Sequence, residues 1–548
     1  MLLALACATD SSAQTFYPDD PLWQMPSPLA VGKVQHRKFN DYYDFFLNTF
    51  ATPGRRPETA RIRAGAVNTL GEVPDSAWYT NRHGHKRMSI EELVKGPGIS
   101  HEPSEKKPWK VTGAKLEGVS PGFAMEDAEG RKYLVKLDPE SNPEMATGAD
   151  VIGSKFFYVL GYYTPENYIV TFRKEDLTIK KGTVVQDSRG YERPMRSRDI
   201  DELLLRAAQY PDGTYRAVAS RFIEGEIIGP FRFNGVRKDD PNDIVAHENR
   251  RDLRGLYVFS AWLGHNDVKS LNTLDSVVEE GGVRYIRHYL IDFGAAFGSD
   301  SFEAKSPRAG HRYLFAWDSA AAQVFSFGLY VPAWMRANYP KIPGVGNFEH
   351  EVFDALEWKP NYPNPAFLNR LPDDEFWAAR QVMRFTDEEI HAIVKSGQYS
   401  DPRAVDWLTR CLIERRDKIG KAYFAKVLPL DEFRIENGAL KFRDLGVDHG
   451  FAPPRRYRVH WSGFNNSDAT ESPIPSATTF ELPRQFGQAR SPDFAVARIQ
   501  ADDPRQAVLV YLRFTDGKAE IVGIDRQWHS ENGGSGRADF ARGNYSTK

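Results

Sequence analysis

Hydrophobic and polar positions divide the chain into stretches of different texture. From Phe16 to about Pro108, Pro, Asn, Asp and aromatic residues dominate without sustained helical periodicity, so this segment reads as an arm that wraps a later domain. A strand texture begins near Trp109. Phe123 to Asp127 and Arg131 to Leu137 flank Ala128-Glu129-Gly130, which predicts a hairpin. Pro143 and Glu144 open an amphipathic run from Ala146 to Leu160, with Val151, Phe156, Val159 and Leu160 near helical spacing and Gly161 where a C-terminal cap belongs.

Strands are further predicted at Ile169 to Phe172 and Tyr215 to Ile223, and a helix at Arg251 to Leu263. Asn272 to Val278 and Val283 to Ile291 flank Glu279-Glu280-Gly281-Gly282 and predict a second hairpin. From about Pro363 the pattern turns helical. Thr386-Asp387-Glu388-Glu389 is a capping box, and Asp401-Pro402 sets an N-cap and a first-turn proline ahead of Val405, Leu408, Leu412 and Ile419. Beyond about Pro429, Arg456 to Trp461 and Ala507 to Phe514 predict a C-terminal β module, followed by a Gly/Ser-rich tail from Asn532. The class is α+β, with divisions at 1–13, 14–108, 109–228, 229–428, 429–531 and 532–548.

Composition narrows the function classes. In 548 residues, 72 Lys and Arg against 74 Asp and Glu leave a net charge of −2, with 41% apolar residues, which argues against disorder and against a basic nucleic-acid binder. Cys7 and Cys411 are too few and too far apart for a disulfide scaffold or a four-cysteine zinc site. No stretch reaches the roughly 18 apolar residues of a membrane span; the nearest, Ser319 to Met335, carries Gln323, Ser326, Gly328 and Pro332 and reads as buried core. Met1 to Ala8 and Ser11-Ser12-Ala13 match the apolar half and cleavage pattern of an export signal, without its basic n-region. Residues 1–13 are therefore read as a signal remnant and the protein as exported, periplasmic or envelope-associated, with a cytoplasmic location as the alternative.

The chemistry concentrates in His265-Asn266-Asp267-Val268-Lys269-Ser270-Leu271-Asn272, followed twenty residues after Asn272 by Asp292-Phe293-Gly294. These match H-x-D-x-K-x-x-N and D-F-G. Phosphoryl transfer needs a carboxylate facing the attacking hydroxyl, a cation near the γ-phosphate, and oxygen ligands for Mg²⁺. Asp267, Lys269, and Asn272 with Asp292 are of those types, and the intervening hairpin can bring Asn272 and Asp292 together across its base. Upstream, Lys136 on a strand and the turn Gly118-Val119-Ser120-Pro121-Gly122 stand in the order a nucleotide site requires.

On these motifs, together with Tyr289-Leu290-Ile291 before Asp292, residues about 109 to 425 resemble the protein-kinase-like superfamily, nearer its divergent HipA-type and phosphoinositide-kinase-like members. The stretch Asn68 to Trp78 is also similar to a group of exported bacterial proteins that carry the same two motifs and have no settled substrate. The resemblance implies a two-lobed kinase-like core between the irregular arm and the β module, using ATP and Mg²⁺. It implies Lys136 for the phosphates, with Gly118 and Gly122 covering them, Asp267 as catalytic base, Lys269 as charge stabiliser, and Asn272 and Asp292 as metal ligands. Glu144 and Asp150 are both candidates for the helix carboxylate that pairs with Lys136. Arg221-Phe222-Ile223-Glu224-Gly225 resembles the inter-lobe hinge, so backbone at Phe222 and Glu224 is expected at the adenine. No A-P-E motif follows Gly294, which leaves the hydroxyl acceptor open among protein, lipid, sugar and small molecule. The alternative is an inactive nucleotide-binding pseudokinase or interaction protein.

Three other patterns carry less. Gly118 to Gly122 fits G-x-S-x-G, but Pro121 has no N–H for an oxyanion hole and a strand, not a helix, is predicted next. His83 and His85 sit among Arg82, Lys86 and Arg87, where a cation would be repelled, and read as a solvated basic loop. Arg455-Arg456-Tyr457-Arg458 reads as a basic surface strand.

Overall fold

The structure is a computed structural model, and it describes residues 14–98, 102–114, 121–186, 191–315, 332–486 and 493–528. The expected signal remnant, the C-terminal tail, Gly118, and most of the apolar run from Ser319 lie outside the described residues. The end of that run, Met335, is exposed at 58% and not buried as expected, because it sits in a short surface 3₁₀ turn.

The arm contains two short helices, α1 (Asp41–Phe46) and α2 (Ile90–Lys95). Hydrophobic periodicity cannot signal six-residue helices. Their caps do: the Asn40 side chain accepts from Tyr43 N, and Ser89 and Glu92 form a reciprocal capping box.

A six-stranded sheet follows, built from β1 (Trp109–Ala114), β2 (Gly122–Glu126), β3 (Lys132–Leu137), β4 (Asn167–Phe172), β5 (Leu177–Ile179) and β8 (Tyr215–Arg221), in the order β4-β8-β3-β2-β1-β5. Between them run α3 (Met145–Val159), the small hairpin β6 (Val184–Gln186) and β7 (Glu192–Pro194), and α4 (Ser197–Leu204). Trp109, Phe123, Tyr133 and Val135 from the sheet pack with Ile200 and Leu204 of α4 into one core. The α3 helix behaves differently. Its Ile152, Phe156 and Phe157 are buried in the larger helical core that follows in sequence, so it bridges the two units.

Residues 222–225 join the two units. Gly225 takes a positive φ there, and a Cβ on it would lie 2.3 Å from the Val277 carbonyl oxygen, so this crossing requires glycine. Next come β9 (Glu226–Gly229), α5 (Arg251–Leu263), β10 (Thr273–Glu280) and β11 (Val283–Leu290). Because β9 pairs with β10, strand pairing puts 226–228 with the second unit, not the first. Helices Pro372–Met383, Asp387–Lys395 and Pro402–Phe424 complete the helical core around Trp262, Trp377, Phe385 and Leu412. The last unit pairs β12 (Leu430–Glu436) with β13 (Ala439–Asp444). It then lays β14 (Arg458–Phe464), β15 (Glu471–Pro473), β16 (Asp493–Gln500), β17 (Ala507–Thr515) and β18 (Lys518–Gln527) into an antiparallel sheet ordered β15-β14-β16-β17-β18.

The arm touches all three units: at the first, Ser104 N donates to Asp127 Oδ2 in the β2–β3 turn at 3.0 Å. Val31 and Val34 pack on β9 to β11, Trp78 and Tyr79 enter the helical core, and Phe16 is buried against Phe464 and Tyr511 of the last sheet. The expected basic loop is corrected at His83. Its ring is buried against Phe385 and accepts from Met88 N, because the arm packs on the helical unit at that point.

Candidate active site

Alternation along β3 sends Tyr133, Val135 and Leu137 into the sheet's own core, so Lys136 must face the opposite side. It lies directly across from Gly122 on β2 and Val218 on β8. Its ammonium stands 2.8 Å from Asp150 Oδ2 and 2.9 Å from Asp292 Oδ1. That is well inside the about 10 Å that a metal-bound phosphate chain can bridge. Burial alone would lower the Lys136 pKa, but Asp150 and Asp292 outweigh it and raise it above the ordinary lysine value.

Of the two candidate carboxylates, Asp150 meets the lysine. Its other oxygen accepts from Phe293 N at 3.0 Å and Asn167 Nδ2 at 3.3 Å, so one buried side chain fixes both the ammonium and the backbone after Asp292. Glu144 is corrected. It sits at the N-terminus of α3 with φ 68° and accepts from Tyr210 OH at 2.7 Å and Ser400 N at 2.8 Å, which turns it away from Lys136.

Asp292 itself has a φ of 61°, a left-handed conformation uncommon for a non-glycine residue and frequent at functional turns. Phe293 anchors this turn by stacking on Phe157, with centroids 5.1 Å apart. The base of the β10–β11 hairpin delivers the second metal-type ligand, since Ile291 N donates to Asn272 O at 3.0 Å and places Asn272 beside the Asp292 turn.

Within the octet, Asn272 Nδ2 donates to Asp267 Oδ2 at 3.0 Å and to its backbone carbonyl at 2.7 Å. Both partners are acceptors, so the amide nitrogen faces them and neither of these bonds uses Asn272 Oδ1. Lys269 Nζ lies 3.5 Å from Asp267 Oδ2. Burial acts to lower the Lys269 pKa, and Asp267 with Asp41 raises it on balance.

The structure adds residues that no motif marks. Asn361 Nδ2 donates to Asp267 Oδ1 at 3.0 Å, and Asp41 of α1 stands 3.3 Å from Lys269 Nζ. Asp44 of α1 accepts from Ser270 Oγ at 3.1 Å and Tyr362 OH at 2.8 Å, clamping the arm onto the segment 265–272. The capping pattern at Asn40 was the one sequence signal for this helix; nothing local pointed to its partner.

At the expected hinge, part of the backbone is already engaged. Phe222 N already donates to Lys132 O at 3.0 Å, and the Glu224 carbonyl accepts from Ser276 Oγ at 2.5 Å, because this segment is stitched to the strands on either side. The Phe222 N–H is therefore not open to a base, and the Glu224 side chain is exposed to solvent.

The Asp292 carboxylate and the Asn272 carboxamide oxygen are hard oxygen donors, the type that Mg²⁺ or a similar cation takes. Among the described residues no cluster of three His, Cys, Asp or Glu side chains could hold a metal unaided. No helix among the described residues is long and apolar enough to cross a membrane.

No family model and no curated protein matches the chain. Among solved structures it is similar to the Helicobacter pylori proinflammatory kinase CtkA, at 12% identity over 59% of this chain and 96% of that one, with a TM-score of 0.30. Two structures of the Golgi casein kinase also match. One, with Mn/ADP bound, has 10% identity over 62% and 78% of the two chains and a TM-score of 0.28; the other has 11% identity over 74% and 96% and a TM-score of 0.30.

Proposed function

We propose that the chain is a kinase-like phosphotransferase that uses ATP and Mg²⁺ to phosphorylate a hydroxyl acceptor. The observation that carries this reading is that Asp150 and Asp292 both stand within 3 Å of the Lys136 ammonium, with the Asp267–Asn272 pair joined to the Asp292 turn across the hairpin base. A divalent cation held by Asn272 and Asp292 would neutralise phosphate charge. Lys136 would orient the α- and β-phosphates, and Lys269 would offset charge on the transferring group. Asp267, its carboxylate fixed by two carboxamides, would accept the proton of the attacking hydroxyl. Residues 222–225 would border the adenine.

The test separates binding from chemistry. With purified protein, Mg²⁺-ATP should raise the melting temperature and release ADP. Asp292→Ala should weaken the Mg²⁺-dependent shift at least tenfold in concentration. Asp267→Ala should keep the shift and lose turnover by about 10²-fold or more, the range of general-base removal. Wild type that shifts without releasing ADP identifies a nucleotide-binding pseudokinase. Equal turnover in wild type and Asp267→Ala removes Asp267 from the mechanism.

A further inference from the structure

Lys305 is buried, lies 38 residues beyond Asp267, and belongs to no motif. Its ammonium donates to Asn266 Oδ1 and, at 2.6 Å, to Ala295 O. Asn266 Nδ2 in turn donates to Asn361 Oδ1 at 2.9 Å, and Asn361 Nδ2 donates to Asp267 Oδ1 at 3.0 Å. Each carboxamide accepts with its oxygen and donates with its nitrogen, so the sequence Lys305 to Asn266 to Asn361 to Asp267 runs in one direction from a cation that cannot accept to a carboxylate that cannot donate. Backbone fixes the same geometry, since Asn361 N donates to Asn266 O at 2.8 Å and Leu314 N to Asn361 O at 2.7 Å.

We propose that Lys305 and Asn361 are positioning residues for Asp267: a one-way hydrogen-bond chain from a buried ammonium holds the Asp267 carboxylate in the orientation in which its exposed edge receives the acceptor's proton. This rests on the phosphotransfer reading and deepens it. Aligned donors polarise one another, so such a chain is stiffer than its separate bonds. With Oδ1 held by Asn361 and Oδ2 by Asn272, the carboxylate cannot rotate without breaking a charge-assisted bond. The same ammonium grips Ala295 O, three residues after Asp292, so one cation ties the base to the segment that carries the metal-type carboxylate.

The experiment uses the full-length protein and Mg²⁺-ATP, with water as acceptor. Asn361→Asp replaces the donor by a carboxylate of nearly the same shape and reverses the last link; Asn361→Ala deletes it; Lys305→Met removes the source. Each is expected to lower kcat at least tenfold while leaving KM for Mg²⁺-ATP within about twofold. The double variant Asn361→Ala/Lys305→Met should be no slower than the worse single, as for groups acting in one unit. Wild-type kcat in Asn361→Asp overturns the proposal, as do effects that multiply in the double variant. The Asn361 variants carry the test if Lys305→Met does not fold. Crystal structures of wild type and Asn361→Ala give a readout independent of turnover. An Asp267 carboxylate that turns away in Asn361→Ala supports the chain, and one that keeps its orientation overturns it. An intact chain in a wild type that consumes no ATP would defeat the phosphotransfer reading alone.

Discussion

His265 opens the octet, yet its ring faces inward, between Phe157 at 5.6 Å and Phe293 at 6.0 Å between centroids, and its Nδ1 has no hydrogen-bond partner. Burial, reinforced by the nearby Lys305 charge, lowers its pKa from 6.5 to about 4. The folded protein thus refuses a proton that the unfolded chain accepts below 6.5. Stability is then full above that value and falls as the pH drops toward about 4. At pH 5 the loss attributable to this ring is about 2 kcal/mol, from roughly 1.4 kcal/mol per tenfold difference in proton affinity. Urea unfolding at pH 7 and pH 5 checks it: His265→Leu should lose about 2 kcal/mol less than wild type between the two, and equal losses would refute it. At this scale the sequence marked candidates by residue type at fixed spacing, and the structure brings Asp267, Lys269 and Asn272 into one bonded set with Asn272 beside the Asp292 turn. Side chains that act on those residues from afar were not legible. Asn361 and Asp41 reach Asp267 and Lys269 across 94 and 228 residues, and no local pattern encodes either contact. The choice between Asp150 and Glu144 likewise depended on which way α3 turns its first residues.

Both hairpins and α5 were readable because each is defined by local alternation or periodicity with a glycine at its turn or end. The position of α3 was not readable from its pattern, which says that one face is buried and not against what. The structure presses it onto the Asp292 turn: a Cβ built on Gly153 would lie 2.6 Å from Phe293 Cβ, closer than side-chain atoms approach. Gly153→Ala should therefore push Phe293 from its place against Phe157, at an overpacking cost of about 1 to 3 kcal/mol. Since Phe293 N is held by Asp150, the displacement should reach Asp292 and the Lys136 pair. We expect KM for Mg²⁺-ATP to rise several-fold and the melting temperature to fall together. A variant with both values unchanged would show that the helix and the turn move apart freely and that this packing does not set the site.

The arm makes the chain one molecule rather than three units in series. Arg380, on helix Pro372–Met383, donates to Glu72 of the arm and to both oxygens of Asp431 on β12, at 3.0 and 2.9 Å, and all three side chains are buried. Nearby, Arg63 of the arm is paired with Asp373 and Asp525, and the Thr69 carbonyl accepts from Ile524 N at 2.9 Å. The stretch around Glu72 carries a sequence similarity, but its part in the packing was not readable from it, because its partners lie 308 residues away and beyond. Removing one member of a buried ionic set leaves the others uncompensated, which typically costs about 3 to 5 kcal/mol, whereas replacing the set by apolar residues can be nearly neutral. Arg380→Met should accordingly lose several kcal/mol in urea unfolding and expose the arm near Glu72 to limited proteolysis. Arg380→Met combined with Glu72→Leu should regain part of that loss, since Asp431 still has Arg526 at 3.7 Å. If Arg380→Met instead unfolds like wild type and resists cleavage, the arm is held by its aromatic anchors Phe16, Trp78 and Tyr79, and the ionic set contributes orientation without stability.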